Sequence, residues 1–349
     1  MKPDVLFLDE PTALLDDVGT SQVWDTVKQI AQDKTLIIVE HKINEIVEWV
    51  DRIIVLSPEG KIVADGPANQ VFTDERNMLR EYGIWYPGVW EERGQTKAQV
   101  LVSGESIRYG AAETESMDNK ERRDPALLQP ALEMLQFTGW RGKTPFIQVE
   151  QAKVWHGDWV GIIGANGAGK SSLLLSMMNI LRTTGHYVVE GQSAGKTEQL
   201  ADHIAFVFQN PEFQFVTNTV RDEVGFSLLG GKRTTEERDV RTDHMLEQFG
   251  LTALAGRHPY QLSMGQKRRL SVASALVREQ RILLLDEPTF GQDARNTFAM
   301  LSQLERLRRE GTAIVMVTHD REIVKRYCNR IWTVDEGRLI IDAALVSSS

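Results

Sequence analysis

The stretch DWVGIIGANGAGKSSLLLSMMNIL, residues 158–181, decides the fold. It opens with a short apolar run and closes with an apolar-periodic segment, and between them stands GANGAGKSS, residues 164–172. This is GxxxxGK[ST] with a strand before it and a helix after it, the context in which the pattern carries meaning. Gly164, Gly167 and Gly169 let backbone N–H groups curl around phosphate oxygens without side-chain interference. A helix opening at Lys170 turns its positive dipole end toward the same anion. Lys170 is placed to reach the β- and γ-phosphates of a nucleotide, and the Ser171 hydroxyl to ligate Mg²⁺. The competing interpretation, a glycine-rich turn, does not account for the flanking strand and helix.

Downstream, ILLLDEP at residues 282–288 reads as a fully buried parallel strand that delivers carboxylates at its C-terminal edge, where open α/β sheets bind ligands. Asp286 is placed to hold Mg²⁺ through its water shell, and Glu287 to orient or deprotonate the attacking water. Two adjacent acids would otherwise be a solvated strand end. Between these motifs, YQLSMGQKRRLSVASAL at 260–276 contains a helix start with Ser263 as N-cap. The amides of residues 263–265 form a second anion-binding helix end. Lys267, Arg268 and Arg269 read as a nucleic-acid patch or as a solvated helix face, and the solvated face is the expectation.

The chain also repeats itself. VLFLDEPTALLDD at 5–17 returns as ILLLDEPTFGQDA at 282–294. Asp9 and Asp286 are 277 apart, as are Asp16 and Asp293; His41 and His319 are 278 apart, as are Arg52 and Arg330. Motifs recurring in one order at one offset imply two copies of one domain type. The copies are unequal: the first has no phosphate loop before its DEPT motif. The expected organisation is a C-terminal portion of a first domain over 1–90, a flexible linker over 91–130 and a complete domain over 131–345. A fragment of a longer protein, or a misplaced start, would each produce this pattern, and the fragment is the reading preferred. Unpaired parallel strands expose backbone groups, so residues 1–80 are expected to be weakly held. The stretch GIWYPGVW, 83–90, either packs on its own domain or docks a partner.

Composition is that of a globular protein with 42% hydrophobic and 26% charged residues. A net charge of −9 argues against nucleic acid as partner. One cysteine, Cys328, excludes an internal disulfide and suggests a reducing compartment; it reads as a small buried hydrophobe or a reactive thiol. The N-terminus lacks a signal-peptide layout and no apolar run has the length of a membrane span, so membrane contact would be peripheral.

The ordered set of phosphate loop 164–171, Gln209 in FQNPEFQF, LSMGQ at 262–266, LLLDEP, FGQDA at 290–294 and His319 in VTH resembles an ABC-type nucleotide-binding domain of the P-loop NTPases. QNPEFQFVTNTVRDEV, LSMGQKRRLSVA and PTFGQDARN are similar to the energy-coupling-factor group of micronutrient importers. Within it, the chain is similar to single-chain duplicated ATPases of hydroxymethylpyrimidine or thiamine uptake. The resemblance implies an α/β fold with a mainly parallel sheet, a helical subdomain around 212–275 and a small antiparallel portion near 145–160. It implies ATP and Mg²⁺ as ligands, with Asn166 and Ser172 completing the phosphate loop and Ser171, Gln209 and Asp286 around the metal. Gln209 would sense Mg²⁺ and γ-phosphate, His319 would contact the γ-phosphate, and Trp140, or failing that Phe137, would stack on adenine. Ser263, Gly265 and Gln266 would address the ATP of a partner domain, with Asp293 as the D-loop acid; Met264 departs from the usual glycine.

In this family two domains face head to tail, each ATP lying between one phosphate loop and the other domain's signature. The first copy offers Asp9, Glu10, Asp16 and His41 but neither of those elements. The second ATPase domain is therefore a missing N-terminal half or another copy of the chain. The further partners implied are a transmembrane coupling subunit and a substrate-binding membrane subunit, at the cytoplasmic face of the cell membrane. The cargo would be a vitamin, a vitamin precursor or a metal ion. A soluble two-cassette protein acting on ribosomes and a non-functional fragment are the alternatives.

Overall fold

A computed structural model describes residues 3–12, 15, 17–40, 43, 46–57, 59–93, 129–230 and 233–344. The chain falls into two compact units, one of 1–13, 18–124 and 293–298, the other of 14–17, 125–292 and 299–349. The expected linker, 91–130, lies almost wholly outside the described residues.

In the first unit Val5–Asp9 (β1) and Thr35–Val39 (β2) pair in parallel, with the helix Asp17–Ile30 between them in sequence. Both strands are rich in Val, Leu, Ile and Phe, yet every second residue faces solvent, with Phe7 75% and Val39 56% exposed. Ile53–Leu56 (β3) and Ile62–Gly66 (β4) form an antiparallel pair. Two short helices, Ala68–Asp74 and Arg76–Tyr82, follow, and Gly83 in the left-handed region ends the second. The aromatic stretch after it packs inside its unit. Tyr86, Val89 and Trp90 are buried, and Trp90 meets Phe298 edge-on at 4.8 Å between centroids.

The second unit is built on one ten-stranded sheet. Its strands are Pro130–Arg141 (β5), Thr144–Trp155 (β6), Trp159–Ile163 (β7), Arg182–Val189 (β8), Gln192–Ser193 (β9), Ile204–Val207 (β10), Ile282–Asp286 (β11), Ala313–Val317 (β12), Arg330–Asp335 (β13) and Arg338–Ala344 (β14). The order across the sheet is β10-β11-β12-β7-β13-β14-β6-β5-β8-β9. β10, β11, β12, β7 and β13 run parallel; β14 is antiparallel to β13 and parallel to β6, and from β6 through β5 and β8 to β9 each strand is antiparallel to the next. All five residues of β11 and of β12 are buried, as an inner parallel strand covered on both faces requires.

The core joins Leu132, Met134, Ile162, Leu173, Leu174, Met177, Leu284, Val315 and Trp332, each fully buried. Gly139 marks a close approach: a Cβ there would lie 2.0 Å from the Ser176 hydroxyl oxygen, so β5 can lie against the phosphate-loop helix only without a side chain at this point. The helices Val220–Gly225, Thr235–Gln248 and Met264–Leu276 occupy the region expected to be helical. The antiparallel portion differs from the expectation of 145–160: it starts at Pro130 and takes in β8 and β9, while β7 belongs to the parallel part. Gln136, at φ 49°, is the cause, because the register against β8 shifts between Leu135 and Thr138 and breaks the two-residue alternation of β5.

The two copies of the repeat share a backbone signature. Glu10 and Glu287 both hold positive φ, 44° and 49°, which is uncommon outside glycine. Glu10 donates its N–H to Val39 O at 2.8 Å and Glu287 to Val317 O at 3.1 Å. Burial separates them: Phe7 is 75% exposed where its counterpart Leu284 is fully buried. Hydrogen exchange on the intact chain should find the amides of β11 at least about a hundredfold slower than those of β1. Equal protection of the two strands would contradict this assignment.

Candidate functional site

Parallel pairing gathers the site. Val207 pairs with Leu285, Asp286 with Val317, and Val317 with Ile162. The chain therefore leaves β10 at Phe208–Gln209, β11 at Asp286–Glu287, β12 at Thr318–His319 and β7 at Gly164, all on one edge of the sheet. Residues far apart in sequence become neighbours through register alone.

The loop after β7 can take its path only with glycine. At Gly164 φ is 148° and a Cβ would come 2.1 Å from Val334 O. Asn166 and Gly167 stand exposed at the tip, and Gly169, at φ 109°, caps the helix Lys170–Met177. Lys170 is buried, and its ammonium donates to the carbonyls of Gly164 at 2.8 Å and Ala165 at 2.9 Å. Ser172 accepts from the Arg141 guanidinium at 3.2 Å, a contact with no signal in the sequence.

Asp286 is 4% exposed. Burial pushes its carboxyl above the usual carboxylate range, opposed by a hydrogen bond from Ser171 and by the charges of Arg268 and Lys170. Its Oδ1 is buried without a hydrogen-bond partner. A bare carboxylate oxygen beside a serine hydroxyl fits a hard divalent cation, which takes oxygen ligands. Glu287 follows, 6% exposed, with its Oε1 3.4 Å from His319 Nε2. Gln209 is exposed at the same edge, on the loop that Asn210 continues by capping the turn Pro211–Phe213.

Other expected residues fall differently. Trp140 is half-buried at the end of β5 and donates its indole N–H to Thr184 at 2.9 Å. The alternative Phe137 is core: it is 1% exposed and packs on Tyr187 at 5.2 Å, so it is not free to meet a base. Ser263 caps the helix Met264–Leu276 and exchanges hydrogen bonds with Gln266, while Met264 is 52% exposed. This helix end is held at the loop before Asp293, where Gln292 donates to Gly265 O at 2.9 Å. Asp293 groups with the first unit and accepts from the Asn296 amide at 2.7 Å. Asp9 and Glu10 end β1, whereas Asp16 and His41 lie outside the described residues. The Cys328 thiol is buried and pushed up to about 12, so it stays protonated and inert.

One expectation is overturned. The basic run 267–269 is not a solvated face, since Arg268 is 2% exposed and the Lys267 ammonium is 2.5 Å from the Glu212 carboxylate. Helical periodicity puts Arg268 on the face of the buried Ser271 and Val272, three and four residues on, which a count of like charges does not reveal.

Residues 148–290 match the ABC transporter family, and those residues hold the phosphate loop, the signature and Asp286–Glu287.

The second unit is an ABC transporter ATP-binding domain.

The whole chain is 34% identical, over 349 residues, to YkoD of Bacillus subtilis (strain 168), whose provisional name is HMP/thiamine import ATP-binding protein. It is 33% identical, over 367 residues, to a provisionally named ABC transporter ATP-binding protein of Methanosarcina mazei. These alignments take in 99% and 98% of the chain but 62% of each relative, so the chain spans less than two thirds of the length of either. Among solved structures it is similar to cbiO1 of Clostridium perfringens, part of the ABC transporter complex cbiONQ. That match has a TM-score of 0.54 and 29% identity over 62% of this chain and 88% of that one. The dimeric cassette MJ0796 bound to ADP and Pi matches at a TM-score of 0.57 and 25% identity, over 62% of this chain and all of that one.

The ABC domain holds Asp286 buried against its charge preference, which active sites do at the expense of stability. In metal-free buffer at neutral pH, Asp286→Asn should raise the melting temperature of this unit by about 2–4 °C. A fall in melting temperature would show that the carboxylate's compensation of the Lys170 and Arg268 charges outweighs the cost of its burial.

Proposed function

We propose that the chain is the ATP-binding and ATP-hydrolysing part of an ABC importer of the energy-coupling-factor type. The observation that carries this is the convergence at one sheet edge of the phosphate loop, the Ser171–Asp286 pair and the Glu287–His319 pair. Backbone amides of 164–169 and Lys170 bind the nucleotide phosphates, and Trp140 stacks on the base. Ser171 and Asp286, with Gln209, would hold Mg²⁺, which when bound would supply positive charge against that of the phosphates. Glu287 accepts the proton of the attacking water or aligns it, and His319 orients Glu287 and meets the γ-phosphate. The positive φ at Glu287 helps here, since it turns the carboxylate at a fixed angle off the strand end.

The ABC architecture supplies Ser263, Gly265 and Gln266 to a partner's nucleotide and Asp293 to the contact between domains. The partner is either a first domain completed around Asp9, Glu10, Asp16 and His41 or another copy of this chain. Among the described residues no helix is long and apolar enough to cross a membrane. We place the chain at the cytoplasmic face, attached through its helical region. Phe213 and Val216, 75% and 65% exposed beyond Gln209, are apolar side chains that a transmembrane coupling subunit would cover. A separate membrane subunit would bind the cargo; the similarity to YkoD, named for HMP/thiamine import, supports a vitamin or vitamin precursor, and a metal ion is the other cargo class considered. No nucleic-acid partner is proposed.

The test is ATP hydrolysis by the purified chain over a range of protein concentrations, with Lys170→Ala as control. A specific rate that climbs with concentration and disappears in the mutant supports pairing of second units around ATP. Glu287→Gln should then slow turnover about a hundredfold or more and trap an ATP-dependent dimer. Nucleotide binding without hydrolysis at any concentration points to the completed first domain as the required partner. Hydrolysis that survives Lys170→Ala refutes the assignment.

A further inference from the structure

Arg268 is a charge in a place where charges are expensive. Its side chain lies in the second turn of the signature helix, 2% exposed, with Nη1 donating to the Phe208 carbonyl at 3.1 Å and Nε buried without a partner. Burial lowers its pKa to about 10, while the charges of Glu287 and Asp286 work against that shift, so the guanidinium stays ionised at neutral pH. A buried cation with so few hydrogen bonds is tolerated only where opposite charge compensates. Here the compensation comes from the two carboxylates of the hydrolytic site.

Phe208 is the residue before Gln209, so the same guanidinium that lies in the field of Asp286 and Glu287 also grips the backbone that carries Gln209. Two neighbours on the helix grip the rest of that loop. Lys267 pairs with Glu212, and Ser271 exchanges hydrogen bonds with the Gln214 amide at 2.7 and 2.9 Å. The loop 208–214 is thus tied at three points to the helix whose first residues are the signature. Lys267 and Ser271 hold only the loop; Arg268 in addition meets the field of the carboxylates.

We propose that Arg268 is a positioning residue for hydrolysis, coupling the signature helix to Gln209 and to the Asp286–Glu287 pair within one domain. When the signature helix is seated against a partner's nucleotide, Arg268 carries that placement to the domain's own site. The planar, forked guanidinium suits the task, because one edge can hold the carbonyl while the charge stays directed at the carboxylates. This rests on the hydrolytic reading given above.

The experiment compares the intact wild-type chain with Arg268→Met and Arg268→Lys. Steady-state ATPase rate, melting temperature and hydrogen exchange of the 208–214 amides are measured for each. Arg268→Met should keep the melting temperature and leave KM for ATP within about twofold, while kcat falls about 10- to 100-fold through misplacement of groups that are all still present. The 208–214 amides should exchange about five- to tenfold faster, the loss of one hydrogen bond's worth of anchoring. Arg268→Lys, which keeps the charge without the fork, should recover part of kcat and little of the loop protection. Unchanged exchange in 208–214, or unchanged kcat in an active enzyme, overturns the proposal. A parallel loss of melting temperature and of protection throughout the domain also overturns it, since that is what a merely structural residue would give. If Arg268→Met does not fold, the Arg268→Lys pattern decides. Nucleotide binding without turnover in the wild type points, as above, to a missing partner domain, and loop protection then still judges Arg268.

Discussion

Everything in the second unit depends on the register of four parallel strands. β10, β11, β12 and β7 are aligned so that Val207, Leu285, Met316 and Gly161 lie across from one another. Each strand then ends at the same edge and hands its next residues to a common space. A slip of one residue would turn the side chains of β11 over and carry Asp286 to the opposite face. Burial on both faces prevents such a slip, because Leu284 and Val315 have no exposure and no alternative environment. The hydrophobic sheet is thus the device that fixes the distances of the polar site.

That arrangement gathers opposed charges where water is scarce. Lys170, Arg268, Asp286 and Glu287 are all 6% exposed or less. In such a setting electrostatic interactions are stronger than in water, and each charge depends on its neighbours for compensation. Asp286 retains the protonation preference of a buried acid until cations balance it, and Arg268 is lowered for the converse reason. A site of this kind is poised toward added charge, which is the property that phosphate and a divalent cation exploit.

The parts that could be read from the chain are those with a short-range pattern. GANGAGKSS, ILLLDEP and the Ser263 cap carry their own geometry, and the repeat was visible as two DEPT segments at one offset; Glu10 and Glu287 now show the same left-handed backbone. What could not be read depends on long-range packing. The bulge at Gln136 hides the extent of the antiparallel strands by breaking alternation. Phe137 looks equivalent to Trp140 in sequence, and only the Tyr187 ring behind it makes it core. Arg268 is the clearest case: among three adjacent cations, nothing local distinguishes the one that turns inward to Phe208 and the carboxylates.

The central claim is that this edge of the sheet is a nucleotide site organised by the phosphate loop and Asp286. Calorimetric titration of the purified chain with ATP, with and without Mg²⁺, tests it most directly. The account predicts one site per chain, tighter with Mg²⁺ than without, in which Asp286→Ala removes the Mg²⁺ dependence and Lys170→Ala removes binding. No binding, or binding indifferent to both substitutions, would contradict it.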